Sequence, residues 1–94
     1  MVTMFIRSKV RDYDFWKPIY DDFAPKRKEK GVTGAAVYRD PNDPTVLTVT
    51  HQFANLAAAQ AFAGWDELRS AMMESGVEGA PDIWFTEDVE QTAY

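Results

Sequence analysis

Residues 45–53 read TVLTVTHQF, and the order of the fold turns on them. Leu47, Val49, His51 and Phe53 share one parity, so a strand here turns three apolar side chains and one imidazole toward the same face. His51 is the only histidine in the chain. Just upstream, DPNDP at residues 40–44 carries turn chemistry, which makes VTGAAVYR at residues 32–39 the other arm of a hairpin. Downstream, Asn55 is placed to cap a helix that begins LAAAQAFAG. Gly64 breaks that helix, and it resumes from Asp66 through ELRSAMMESG with Leu68, Met72 and Met73 inward.

The flanks complete the pattern. Val2, Met4, Ile6, Ser8 and Val10 alternate with Thr3, Phe5, Arg7 and Lys9, the signature of a first strand. Asp12 or Asp14 then caps a helix whose inward stripe is Trp16, Ile19, Tyr20, Phe23 and the stem of Arg27. Pro18 fits if regular hydrogen bonding starts near Phe15, and Pro25 bends or breaks the helix. VEGAP at residues 77–81 reads as a loop, residues 82–89 as a last strand, and QTAY as a tail. The order β-α-β-β-α-β predicts an α+β, ferredoxin-like sandwich over residues 1–94: one domain with a four-stranded antiparallel sheet and both helices on one face. Phe5 and Trp84 fall on the other face, too apolar to leave wet, so a second copy is expected to cover it and form a homodimer.

Composition narrows the function classes. A net charge of -5 argues against nucleic-acid binding, and the one basic cluster, PKRKEKG, reads as the cationic end of a helix before a glycine stop. No apolar run approaches the roughly 20 residues of a membrane span, and charges interrupt the N-terminus where a signal peptide is apolar. A cytoplasmic location is therefore expected, with no membrane partner. The absence of cysteine removes thiolate chemistry and disulfides, and no metal site is expected.

A hairpin centred on Asn42 sets Arg39 against Thr45, Thr33 opposite His51 and Ala35 opposite Val49. Those small residues would leave a volume beside His51 that either the aromatic stripe or a ligand fills. If a ligand, His51 is the candidate proton acceptor and Tyr20 the candidate hydrogen-bonding catalytic partner, with Trp16, Phe23, Thr33, Ala35, Trp65 and Phe85 lining the site. If not, His51 is a core ring satisfied by a backbone carbonyl or hydroxyl. Ser8 lies too far along the sheet to form a nucleophile pair with His51. Asp21, Asp22, Asp40 and Asp43 read as surface and turn carboxylates.

The segments VRDYDFWKPIYDDFAPKRKEKG, AFAGWDELRSAMMESGV and GAPDIWFTEDVE resemble the small dimeric α/β-barrel proteins grouped with the antibiotic-biosynthesis monooxygenases. That resemblance implies two ferredoxin-like protomers packed sheet to sheet, each with a pocket between sheet and helices. It also implies a cofactor-independent, monooxygenase-like oxidation of a small hydrophobic or aromatic molecule, or else a non-catalytic small-ligand-binding or structural homodimer. Haem-using relatives place an axial histidine on a helix, whereas His51 belongs to a strand. No cofactor is therefore expected.

Overall fold

The computed structural model describes all residues from Met1 to Tyr94. The element order is β1 (Val2–Val10), α1 (Tyr13–Asp22), α2 (Ala24–Glu29), β2 (Gly34–Arg39), β3 (Val46–Phe53), α3 (Leu56–Ala63), α4 (Asp66–Glu74) and β4 (Val77–Glu87). All strand pairs are antiparallel, in the order β2-β3-β1-β4. This is the ferredoxin-like arrangement, with each of its helices split into two segments. No helix is long and apolar enough to cross a membrane.

The splits follow from local chemistry. The Asp12 side chain accepts from the Asp14 N–H, so α1 starts at Tyr13, two residues before the point Pro18 alone suggested, and Pro18 lies inside it. Phe23 ends α1 and begins α2, where Pro25 occupies the first turn and lacks an N–H that would have no partner there. Asn55 caps α3 by accepting from the Ala58 N–H at 2.9 Å, and Gly64 separates α3 from α4. On α4, Leu68 is buried and Met72 half-buried. Met73 is 74% exposed, and its predicted inward position is corrected to the solvent face.

Two sheet details also depart from the sequence reading. The hairpin pairs Arg39 with Leu47, Val37 with Val49 and Ala35 with His51, a shift of two residues from the expected register. The loop is longer because Asp40 accepts from the Asn42 and Asp43 N–H groups while Asp43 accepts from the Thr45 N–H and hydroxyl. A shift of two keeps every side chain on its predicted face. Secondly, VEGAP belongs to β4 rather than to a loop. Pairing with β1 passes from Arg7–Asp82 to Lys9–Glu78, so β4 bulges between those pairs. Gly79 supplies the left-handed φ of +71° there, and Pro81 is tolerated because an edge-strand bulge leaves its missing donor unneeded.

Helix-facing side chains of the sheet pack into two apolar clusters. One joins Met4, Ile6, Phe53, Ala59, Phe62 and Leu68, the other Val10, Trp16, Leu47 and Val49. On the opposite face Phe5 and Trp84 stack at 5.2 Å with Trp84 41% exposed. Phe53→Ala is expected to cost about 3–5 kcal/mol and Met73→Ala under about 0.5 kcal/mol, read by urea unfolding at fixed protein concentration. Equal costs would contradict this assignment of the core.

Candidate functional site

The two clusters do not merge. Between them lies a cavity of about 50 Å³, with Ile6 and Leu68 from the first cluster on its wall and Trp16 and Val49 from the second. Its remaining walls come from Tyr20 on α1, Phe23 at the α1–α2 junction, Arg27 on α2 and His51 on β3, with Ala71, Met72 and Ser75 across from them. As shaped it has room for a few waters. A surface groove of about 360 Å³ between α1, α2 and α4 shares Ile19, Phe23 and Ala71 with the cavity wall. The cavity is thus partly open, and the groove adjoins it where α1 and α2 face α4.

His51 reaches the cavity because β3 alternation points it at the helices, opposite Met4 on β1 and Ala35 on β2. It is 3% exposed, its ring lies 5.1 Å from that of Phe62, and Nδ1 is sealed from solvent with no hydrogen-bond partner. Burial, and secondarily the positive charge of Arg27, push its pKa down from 6.5 to about 4. The imidazole is therefore neutral at pH 7.

Arg27 is the residue whose importance the sequence reading missed. It is 7% exposed, between the exposed Lys26 and Lys28. One guanidinium nitrogen donates to the Tyr20 carbonyl, and the guanidinium carbon sits 3.9 Å from the Tyr20 ring centroid. Trp16 stacks on the same tyrosine at 4.8 Å. In the chain Arg27 extends the stripe Trp16, Tyr20, Phe23, a position that an aliphatic stem leading to solvent suits equally well. Burial raises the Tyr20 pKa, so its phenol stays protonated and keeps a donor.

Four of the residues expected at a site, His51, Tyr20, Trp16 and Phe23, surround this one cavity. The other four do not. Thr33 and Ala35 are exposed at the β2 edge, outside the cover of the helices. Trp65 packs against Phe23 and Phe62 with the Lys30 ammonium 4.6 Å above its ring, and Phe85 joins the cluster containing Met4. Ser8 also touches the cavity, but it pairs with Leu47, four residues along β1 from Met4, or roughly 13 Å from the rank of His51.

No family model and no curated protein matches the chain. Solved structures do match in fold. An antibiotic biosynthesis monooxygenase superposes with a TM-score of 0.71 at 12% identity, over 96% of this chain and 100% of that one. SnoaB, a cofactor-independent oxygenase from Streptomyces nogalater, gives 0.76 at 8% identity over 96% and 94% of the two chains. NE2512 from Nitrosomonas europaea, a protein of unknown function, gives 0.75 at 16% identity over 98% and 92%. The chain therefore has the fold of the antibiotic-biosynthesis-monooxygenase-like proteins.

The His51 environment has a consequence for stability. Its native pKa lies below the unfolded value, so between pH 6.5 and 4 the unfolded chain holds a proton that the native protein does not, and stability falls as pH falls through that window. Between pH 7 and pH 5 the protein should lose about 2 kcal/mol more than His51→Gln does, measured by urea unfolding. Parallel losses would place the imidazole in water.

Proposed function

We propose that the protein is a cofactor-independent, monooxygenase-like enzyme acting on a small aromatic molecule held between the sheet and α1. The observation that carries this reading is a neutral imidazole without a hydrogen-bond partner at Nδ1, on the wall of an apolar cavity that aromatic side chains also line. In the reaction, His51 takes a proton from an acidified C–H of the substrate, and Tyr20 donates to the oxygen on which negative charge develops. The carbanion reduces dioxygen and captures it as a peroxide, the imidazolium returns its proton, and loss of water leaves a carbonyl. The balance is one CH₂ and one O₂ consumed, one C=O and one H₂O formed. Trp16 and Phe23 supply flat walls for the ring system.

A homodimer forms part of the same proposal. The stacked pair Phe5 and Trp84 lies on the sheet face that no helix covers, and a second copy packed there would bury it.

A non-catalytic carrier of the same ligand is the second reading, favoured by the low basicity of His51. Oxygen uptake with a panel of anthrones and hydroquinones separates the two. His51→Ala should lower turnover by roughly 10²–10⁴-fold while leaving the circular dichroism unchanged, and His51→Gln should bind a substrate of the wild type without turning it over. Normal turnover by His51→Ala overturns the assignment of the base, and binding without oxygen uptake by the wild type favours the carrier. Trp84→Asp is expected to abolish the dimer in sedimentation and to destabilise the protomer with it. A well-folded monomer from that variant would contradict the coupling of assembly to stability.

A further inference from the structure

Arg27 is largely buried with no carboxylate at ion-pair distance. Both salt bridges of the protein lie elsewhere, Lys17–Asp21 on α1 and Lys26–Glu67 between α2 and α4, and all four of those residues are at or near the surface. Arg27 has five N–H donors, and its side chain makes a single protein hydrogen bond, to the Tyr20 carbonyl, while its other nitrogens keep an edge of contact with solvent. Stacking on the tyrosine ring offsets part of the cost of removing the charge from water, but a leucine or methionine would fill the same stripe position with no such cost. Buried guanidinium groups ordinarily meet a carboxylate or phosphate in forked geometry, and here no acidic side chain lies within ion-pair distance. The second observation is independent: His51, also more than nine-tenths buried, lines the same cavity with Nδ1 unpartnered.

We propose that the cavity takes an aromatic acid, its carboxylate held by the Arg27 guanidinium and its ring system lying along Trp16 and Phe23 beside His51. This rests on the reading of the cavity as a ligand site, and it adds to that reading the charge of the ligand. It also bears on the low basicity of His51. With a carboxylate on Arg27, the positive charge that helps depress the imidazole is neutralised, so His51 becomes more basic when the ligand arrives. Entry requires the seam between α1 and α4 to widen, and the surface groove over Ile19, Phe23 and Ala71 marks the place.

The probes are 2-naphthoate and its neutral isostere 2-naphthamide, titrated at pH 7 by calorimetry and by the ring protons of the single histidine. The wild type should bind the carboxylate at least tenfold more tightly than the amide. Arg27→Met should abolish that preference while still binding the amide, and Arg27→Lys should restore part of it. In the wild type alone, saturating 2-naphthoate should raise the His51 midpoint and 2-naphthamide should not, because only the carboxylate offsets the charge of Arg27; this arm stands even if an Arg27 variant fails to fold. Equal binding of the two probes, an unchanged preference in Arg27→Met, or an unmoved His51 midpoint at saturation overturns the charge assignment and leaves the cavity as a neutral site. Failure of the wild type to bind either probe at millimolar concentration overturns the pocket and this inference together.

Discussion

The interior is governed by a failure of its apolar residues to form one cluster. The helix-facing side of the sheet packs Phe53, Phe62 and Met4 at one end and Trp16, Leu47 and Val10 at the other, and the space between is finished with His51 and Arg27. A core that close-packs throughout excludes such groups, because each costs free energy to remove from water. Here they are admitted where α1 and α2 face α4 across the cavity.

Splitting of the helices also sets which side chains line the cavity. Pro25 starts a new helix at Ala24, and within it Arg27 turns inward while Lys26 and Lys28 stay in solvent. Gly64 does the same for the second helical pair, so that Leu68, Ala71 and Met72 form the far wall. Straight helices would lay one continuous ridge over the sheet. Broken ones let each segment take its own angle over the sheet, and the cavity lies where α1 and α2 face α4.

Most of this fold was legible in the chain because period-2 and period-3.6 patterns are set by burial on one side of each element. The cap at Asn55, the break at Gly64, the turn carboxylates Asp40 and Asp43 and the facing of His51 all follow from short-range chemistry. The hairpin register does not. It depends on how many residues the Asp40 and Asp43 side chains gather into the loop, a difference of two that moved Ala35 rather than Thr33 opposite His51. Gly79 and Pro81 carry loop signals in any sequence, and only the pairing of Glu78 with Lys9 reveals them as a bulge inside β4. At the site, Tyr20, Trp16 and Phe23 were readable from helical spacing. Arg27 was misjudged because one stripe position suits either an aliphatic stem leading to water or a buried charge, and only packing distinguishes them.

The fold shared with SnoaB and NE2512, at 8% and 16% identity, leaves the chemistry to the residues of this chain. The central claim is that the seam between the two clusters opens to hold an aromatic molecule against His51. A crystal structure of the protein grown with saturating 2-naphthoate tests it most directly. The expected complex has α1 and α4 moved apart, the naphthalene ring along Trp16 and Phe23 beside His51, and the carboxylate on Arg27. A seam still closed around the empty cavity, with the naphthoate on the uncovered face of the sheet beside Trp84, would contradict it.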